Sequence, residues 1–342
     1  MAQEGIFSRF EDDDKIPGQV NIVSSGMWSG GVGTLTSFYT SSTQSGSTGE
    51  HYYDVYNGVV GTNATASVQF SVAYGNLNGS GSLSGDSNYK ASQAVYSQLR
   101  NLLLTQNETQ FKFGAAADTA SNSIFAIAMN RNRLKEKMDP GNWELHISGA
   151  LANGNGSLVK LIDDSGATSD PNANATTREF NIISGSIATG TAVTGSTTKY
   201  FGKFYPESGL IILDSDLIGG RVFLGASNFN TASNTNNNNS KGIYMAISAS
   251  NYFAARREEQ IKSTHYFCRV KHGMYNHSQN PTYYSGSDNA LAVPSFRTDP
   301  KSYITTVGLY NDSNELLAVA KLSRPILKST SREALIKVRL DF

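Results

Sequence analysis

The 342-residue chain has one cysteine, Cys268, so a disulfide within the chain is excluded and thiol-pair redox chemistry with it. Cys268 sits in an alternating apolar run, which predicts a buried thiol. Charge is also scarce, 16% of residues against roughly a quarter in an ordinary soluble domain. The 28 basic and 28 acidic side chains cancel, so nothing steers the chain toward nucleic acid or an anionic membrane. Proline is sparse, at 8 residues, while Gly, Ser, Thr and Asn abound, giving a mostly uncharged polar surface of the kind found on secreted or virion β-proteins. No run approaches the roughly 20 apolar residues of a membrane-spanning helix. The amino terminus has no basic segment followed by an apolar core, so it does not read as a secretory signal. The expectation is a soluble protein made in a cytoplasm, its sequons at Asn63, Asn78, Asn107 and Asn276 being statistics of an Asn/Ser/Thr-rich chain.

What is present reads as β-structure. Residues 1–17 form a short polar N-terminal arm containing Ile6, Phe7 and Phe10, read either as a frayed terminus or as an arm disordered alone and ordered against a neighbour. Residues 18–142 read as a β-rich domain with one helix at about 88–105, where Ala91, Val95, Leu99, Leu102 and Leu103 recur at spacings of three and four without Pro or Gly. Residues 143–225 read as a β-hairpin domain. One hairpin crosses Ala150 to Gly156, and a second turns at Pro206-Glu-Ser-Gly209, whose Pro and Gly suit a tight turn. The Asn-rich stretch 226–241 reads as a mobile surface loop, because it has too little apolar area to offset its ordering entropy. Within the β-rich carboxyl-terminal part, 242–342, Ala254 to Ile261 favours a short helix by composition. Tyr303 to Tyr310 and Leu316 to Leu322 form a hairpin turning at Asn311 to Asn314. Leu335, Ile336, Val338 and Leu340 make a closing strand that continues to Phe342. The expected fold class is mainly β: antiparallel sandwich or barrel-like domains with one or two helices packed on a sheet.

The chain has no G-x-S-x-G elbow, and Cys268 has only His265 and His272 near it in sequence. Those two histidines lie on opposite faces of an extended strand. His277 could join His272 across a turn, but two histidines do not make a convincing transition-metal site. Met27 to Gly33 resembles a phosphate loop but lacks the Gly-Lys-Ser/Thr ending and a following helix. Asp163/Asp164 and Asp214/Asp216 could hold calcium or act on a glycosidic bond, but they read more simply as turn residues at strand ends. Arg131, Arg133, Lys135 and Lys137 read as a solvated loop or an interface salt-bridge set. No catalytic, cofactor or metal site is therefore expected. The candidate functional residues are the interface anchors Ile6, Phe7, Phe10 and Phe342.

Four segments carry a resemblance. They are Phe125 to Lys137, Asp139-Pro-Gly-Asn-Trp-Glu-Leu145, Gly202 to Leu213, and Thr306 to Pro325. Together they resemble a virion structural protein of large contractile-tailed bacteriophages, including phages of cyanobacteria. The resemblance covers most of the chain from about residue 15, and the final hairpin is its most specific part. It implies a non-enzymatic particle component of the tail baseplate, located in the virion, with other tail and baseplate proteins and copies of itself as partners. No cofactor, nucleic acid or membrane is implied. Two other readings remain open from the residues: a receptor-binding or fibre-attachment module recognising surface glycans through exposed Tyr and the Asn-rich loop, and a capsid decoration protein.

Overall fold

In a computed structural model, the described residues are 8–41, 52–81, 90–113, 119–149, 157–165, 178–188, 191–192, 200–222, 236–278 and 280–341. The fold is mainly β, with antiparallel pairing and few helices, as the alternation of the sequence predicts. In chain order the strands and helices begin with β1 (Lys15–Gly26), β2 (Thr34–Leu35), β3 (Tyr52–Tyr56), β4 (Val68–Asn76), α1 (Lys90–Leu103), β5 (Phe111–Phe113), β6 (Thr119–Ser121) and β7 (Ser123–Met129). They continue with α2 (Arg131–Leu134), β8 (Lys137–Gly149), β9 (Ser157–Asp163), β10 (Phe180–Ser186), β11 (Thr191–Ala192), β12 (Gly202–Tyr205), β13 (Leu210–Asp214), α3 (Ser215–Val222) and α4 (Asn236–Ser250). The last are β14 (Phe253–Val270), β15 (Tyr284–Ser285), β16 (Ala290–Leu291), β17 (Ser302–Tyr310), β18 (Leu316–Lys328) and β19 (Ala334–Asp341).

The chain divides into two compact units, Val23–Glu259 and Met1–Ile22 with Gln260–Phe342. The sequence suggested boundaries near 17, 142, 225 and 241, whereas the contacts divide the chain inside β1 and inside β14.

The larger unit is organised by a sheet in the order β14-β8-β9-β10-β12-β13-β7-β4-β3. Its central strands are apolar at nearly every position because both faces are covered. On β7 and β13, Phe125, Ile127, Met129, Ile211 and Leu213 enter one core with Trp28, Phe70, Trp143, Phe204 and Phe253, together with Ile218 of α3 and Ile243 and Ile247 of α4. The alternate residues Ile124, Ala126, Leu210 and Ile212 enter a second core with Tyr96 and Leu103 of α1 and Phe111 and Phe113 of β5. Such two-sided burial explains why these strands read as continuous apolar runs rather than alternating ones. At the β12–β13 turn Gly209 has φ +64°, and a Cβ there would lie 2.7 Å from the Leu134 side chain, so both conformation and space call for glycine.

The smaller unit is a sandwich of two thin layers. The carboxyl-terminal half of β14 pairs with β19 from Ser263↔Asp341 to Val270↔Ala334. Across from this pair, the β17–β18 ribbon contributes Leu309, Ile304, Val307, Ala318, Ala320, Leu322 and Ile326 to a small core with Ile336, Val338 and Tyr266. The ribbon turns where expected: Asn314 has φ +63°, and the Asn311 side-chain oxygen accepts from Glu315 N–H at 2.8 Å.

Three expectations need correction. The Asn-rich segment is not a loop throughout, since α4 begins at Asn236 and buries Asn239 and Ser240. Ile243, Ala246 and Ile247 give that helix a core-facing stripe strong enough to carry its polar first turns into regular structure. Ala254 to Ile261 is not a helix but part of β14, held by pairing with β8 at Phe253↔Leu145, Ala254↔Glu144 and Ala255↔Trp143. Tertiary pairing overrides helix propensity there. Cys268 is half-buried rather than buried, because the core it borders is small.

Candidate assembly interface

The outer face of the β17–β18 ribbon departs from ordinary burial. The inner face leaves Leu309 6% exposed, whereas Tyr303 is 63%, Leu317 67% and Val319 58% exposed on the rest of the ribbon. Tyr310 and Leu316 are exposed with them, and they face each other in the pairing register. The Tyr310 ring lies over Gly308, where an added Cβ would come within 2.9 Å of it. A β-ribbon with apolar side chains on both faces has only one of them covered by its own chain. Contiguous exposed apolar surface of this kind marks interaction sites on soluble proteins.

The smaller unit as a whole repeats the pattern. Its fully buried apolar residues among those described are Leu309, Ala334, Ile336 and Val338, while Ile16, Val20 and Ile22 of β1 and Leu335 of β19 are exposed. β1 is also the terminal strand of its sheet. An edge strand with apolar side chains offers unpaired backbone groups and apolar surface together, a combination that soluble proteins ordinarily blunt with charge, proline or cover.

Of the four expected anchors, Phe10 is described and the other three, Ile6, Phe7 and Phe342, lie outside the described residues. Phe10 is 40% exposed and lies on Tyr266 of β14, ring centroids 5.4 Å apart and planes at 50°. The next residues form a 3-10 turn, Asp12–Asp14, closed by reciprocal bonds between Glu11 and Asp14. Asp14 then pairs with Arg269 of β14 at 3.6 Å. From Phe10 onward the N-terminal segment is thus held by its own unit, where the sequence suggested an arm ordered only against a neighbour.

Most of the polar groups named from the sequence have structural partners, although His265 Nε2 is buried without a hydrogen-bond partner. Asp163 accepts from Gly141 N–H at 2.9 Å and from Ser165 N–H at 3.0 Å, and Asp164 from the backbone and side-chain amides of Asn181, both at 2.9 Å. Burial pushes the Asp163 carboxyl above its ordinary value against the pull of those donors. Asp214 accepts from Ser121 Oγ at 3.2 Å and from Asp216 N–H at 3.1 Å, opening α3. Lys137 and Lys135 pair within the chain with Glu258 and Glu259, at 3.1 and 3.6 Å, and Arg133 donates to Ser67 Oγ. His272 Nδ1 lies 3.1 Å from Glu333, and His265 lies inside β14 opposite Arg339. Among the described residues no cluster of three or more His, Cys, Asp or Glu side chains could hold a metal ion. Met27 and Trp28, in the glycine-rich stretch, are core residues, the indole N–H donating to the Phe253 carbonyl at 2.9 Å.

One polar grouping escaped the sequence. Glu144 is buried, 4% exposed, on the face of β8 opposite Trp143 and Leu145. Its Oε1 lies 2.5 Å from His146 Nε2, and its Oε2 accepts from Ser186 Oγ at 2.9 Å and from Ile187 N–H at 2.8 Å. Burial alone would raise this carboxyl, but His146, Ile187 and Ser186 together hold it below its ordinary value. The His146 ring stacks on Tyr252, centroids 4.2 Å apart. An acid and an imidazole two residues apart on an alternating strand share a face, and Glu144-Leu-His146 is the signal that would have marked them. No protein-family model, curated protein or solved structure matches the chain.

Proposed function

We propose that the protein is a non-enzymatic structural subunit of a contractile phage tail, in the baseplate, joining neighbouring subunits and copies of itself through β-rich interfaces and its N-terminal segment. The observation that carries this reading is the exposed apolar outer face of the β17–β18 ribbon, with Tyr303, Tyr310, Leu316, Leu317 and Val319. That face lies in the stretch of sequence where the resemblance to tail proteins is most specific. In a symmetric particle, a second subunit supplies the cover that the ribbon and the β1 edge do not receive from their own chain.

The test is to place Leu317→Asp and Val319→Asp together in the phage that encodes the chain. Both side chains are exposed, so the isolated variant should keep the circular dichroism and melting temperature of the parent. The reading predicts that it is absent from purified particles. A variant incorporated at the normal copy number would overturn it.

A further inference from the structure

We propose that Lys328 and Asn276 join in an isopeptide bond, a covalent strap within the smaller unit that ties the end of β18 to the turn after β14. Lys328 is the last residue of β18 and is 0% exposed. Its Nζ donates to two uncharged oxygens, Met274 O and Asn276 Oδ1. Two acceptors match the two N–H groups of a neutral amine, whereas an ammonium ion carries a third proton. Burial pushes the amine below its ordinary pKa, with no neighbouring charge to oppose the shift among the described residues. An ammonium ion is costly in such a place, a neutral amine is a nucleophile, and an amide leaves no charge to bury.

The turn after β14 presents the acceptor. Tyr275, between Met274 and Asn276, has φ +51°, a left-handed conformation uncommon for a residue with a side chain. Asn276 Nδ2 donates to His272 O at 2.9 Å, which fixes the carboxamide with Oδ1 toward Lys328. The carbonyl carbon lies one bond of about 1.23 Å beyond that oxygen. Hydrogen-bond contact to Oδ1 therefore brings Nζ close to the near-attack range of about 3–3.5 Å from Cγ.

In the reaction Nζ attacks Cγ, the new C–N bond forms and the bond from Cγ to Nδ2 breaks. One proton passes from Nζ to Nδ2, which departs as ammonia. The two side chains together lose one NH3, and no oxidant, reductant or co-reactant enters. The bond links positions 52 residues apart, so it removes conformational freedom from the unfolded chain as a disulfide does. The smaller unit gains most from such a strap, because its buried apolar residues among those described are Leu309, Ala334, Ile336 and Val338, and a chain with one cysteine has no internal disulfide. The proposal rests on these side chains and not on the place of the chain in a particle.

The test is mass spectrometry of the purified full chain under denaturing conditions. With amino-terminal processing accounted for, the parent should weigh one ammonia less than its sequence, and a protease digest should contain a branched peptide joining Lys328 to Asn276. Lys328→Met and Asn276→Ala should each have the full mass of their own sequence and unfold at lower denaturant than the parent. A parent at its full sequence mass would overturn the proposal whether or not the variants fold. So would a deficit that persists in Lys328→Met, because cyclisation of an asparagine onto its own backbone expels ammonia without the lysine.

Discussion

Phe10 lies on Tyr266 with ring centroids 5.4 Å apart, so an aromatic contact to β14 fastens the N-terminal segment to its own unit. Phe10 keeps 40% of its surface exposed, and the contact is therefore worth less than a core aromatic pair, about 1 kcal/mol. Phe10→Ala should release the segment ahead of β1 while leaving the cores intact. Hydrogen exchange should show faster amide exchange for residues 11–14 with little change in β8 or β14. Unchanged protection there would show that the Asp14–Arg269 pair holds the segment without the ring.

Trp28 should be among the most costly residues to replace. It is 1% exposed, meets Phe253 edge-on at 4.9 Å and donates its indole N–H to the Phe253 carbonyl. Trp28→Ala is expected to cost about 3–5 kcal/mol. Trp28→Phe keeps much of the apolar volume but leaves that carbonyl without its donor, for about 1–3 kcal/mol. Denaturant titration of the three proteins should rank them in that order.

Two glycines that look alike in sequence should respond in opposite ways. A Cβ on Gly202 would sit 2.0 Å from the Ile212 carbonyl oxygen, inside the β12–β13 pair, so Gly202→Ala must push the strands apart. A Cβ on Gly273 meets nothing within 4 Å. Gly202→Ala should lower stability by about 1–3 kcal/mol or more, and Gly273→Ala should leave it within about 0.5 kcal/mol. Equal melting temperatures for the two variants would contradict the packing described at β12.

Glu144 should also leave a mark on acid stability. Its partners hold its folded-state carboxyl below the ordinary 4.5, so the unfolded chain takes up the proton first as pH falls. The contribution is fully present above that ordinary value and is lost as pH drops through the lower folded-state value. Parent and Glu144→Gln should thus differ most in stability near neutrality and converge in acid. A gap that stays constant from neutral pH into acid would mean that the Glu144 charge plays no part in the difference.

The legible parts of the fold were those in which local pattern and tertiary environment agree. The β12–β13 hairpin has its Pro and Gly at a tight turn, the β17–β18 ribbon has Asn at its positive-φ position, and α1 keeps its three-and-four spacing against the second core. The amino-terminal half of β14 was hidden because Ala-Ala-Arg-Arg-Glu-Glu-Gln favours helix until β8 lies beside it. α4 was hidden because its asparagines precede the apolar stripe that docks it. The Glu144–His146 pair was hidden because Ser186, which donates to Glu144, is 42 residues further on and meets it only through the sheet order β8-β9-β10. Neither the identity nor the number of a neighbouring subunit can be written in one chain's periodicity; exposed Leu317 and Val319 beside a buried Leu309 are what supports the proposal of one.

The most direct measurement on the proposed function is an electron cryomicroscopy map of the particle proposed to carry this chain, detailed enough to trace β17–β18. The account predicts density for the chain in the tail baseplate, with a neighbouring subunit seated on Tyr303, Tyr310, Leu317 and Val319. A particle that lacks the chain, or one in which that face of the ribbon stands open to solvent, would contradict it.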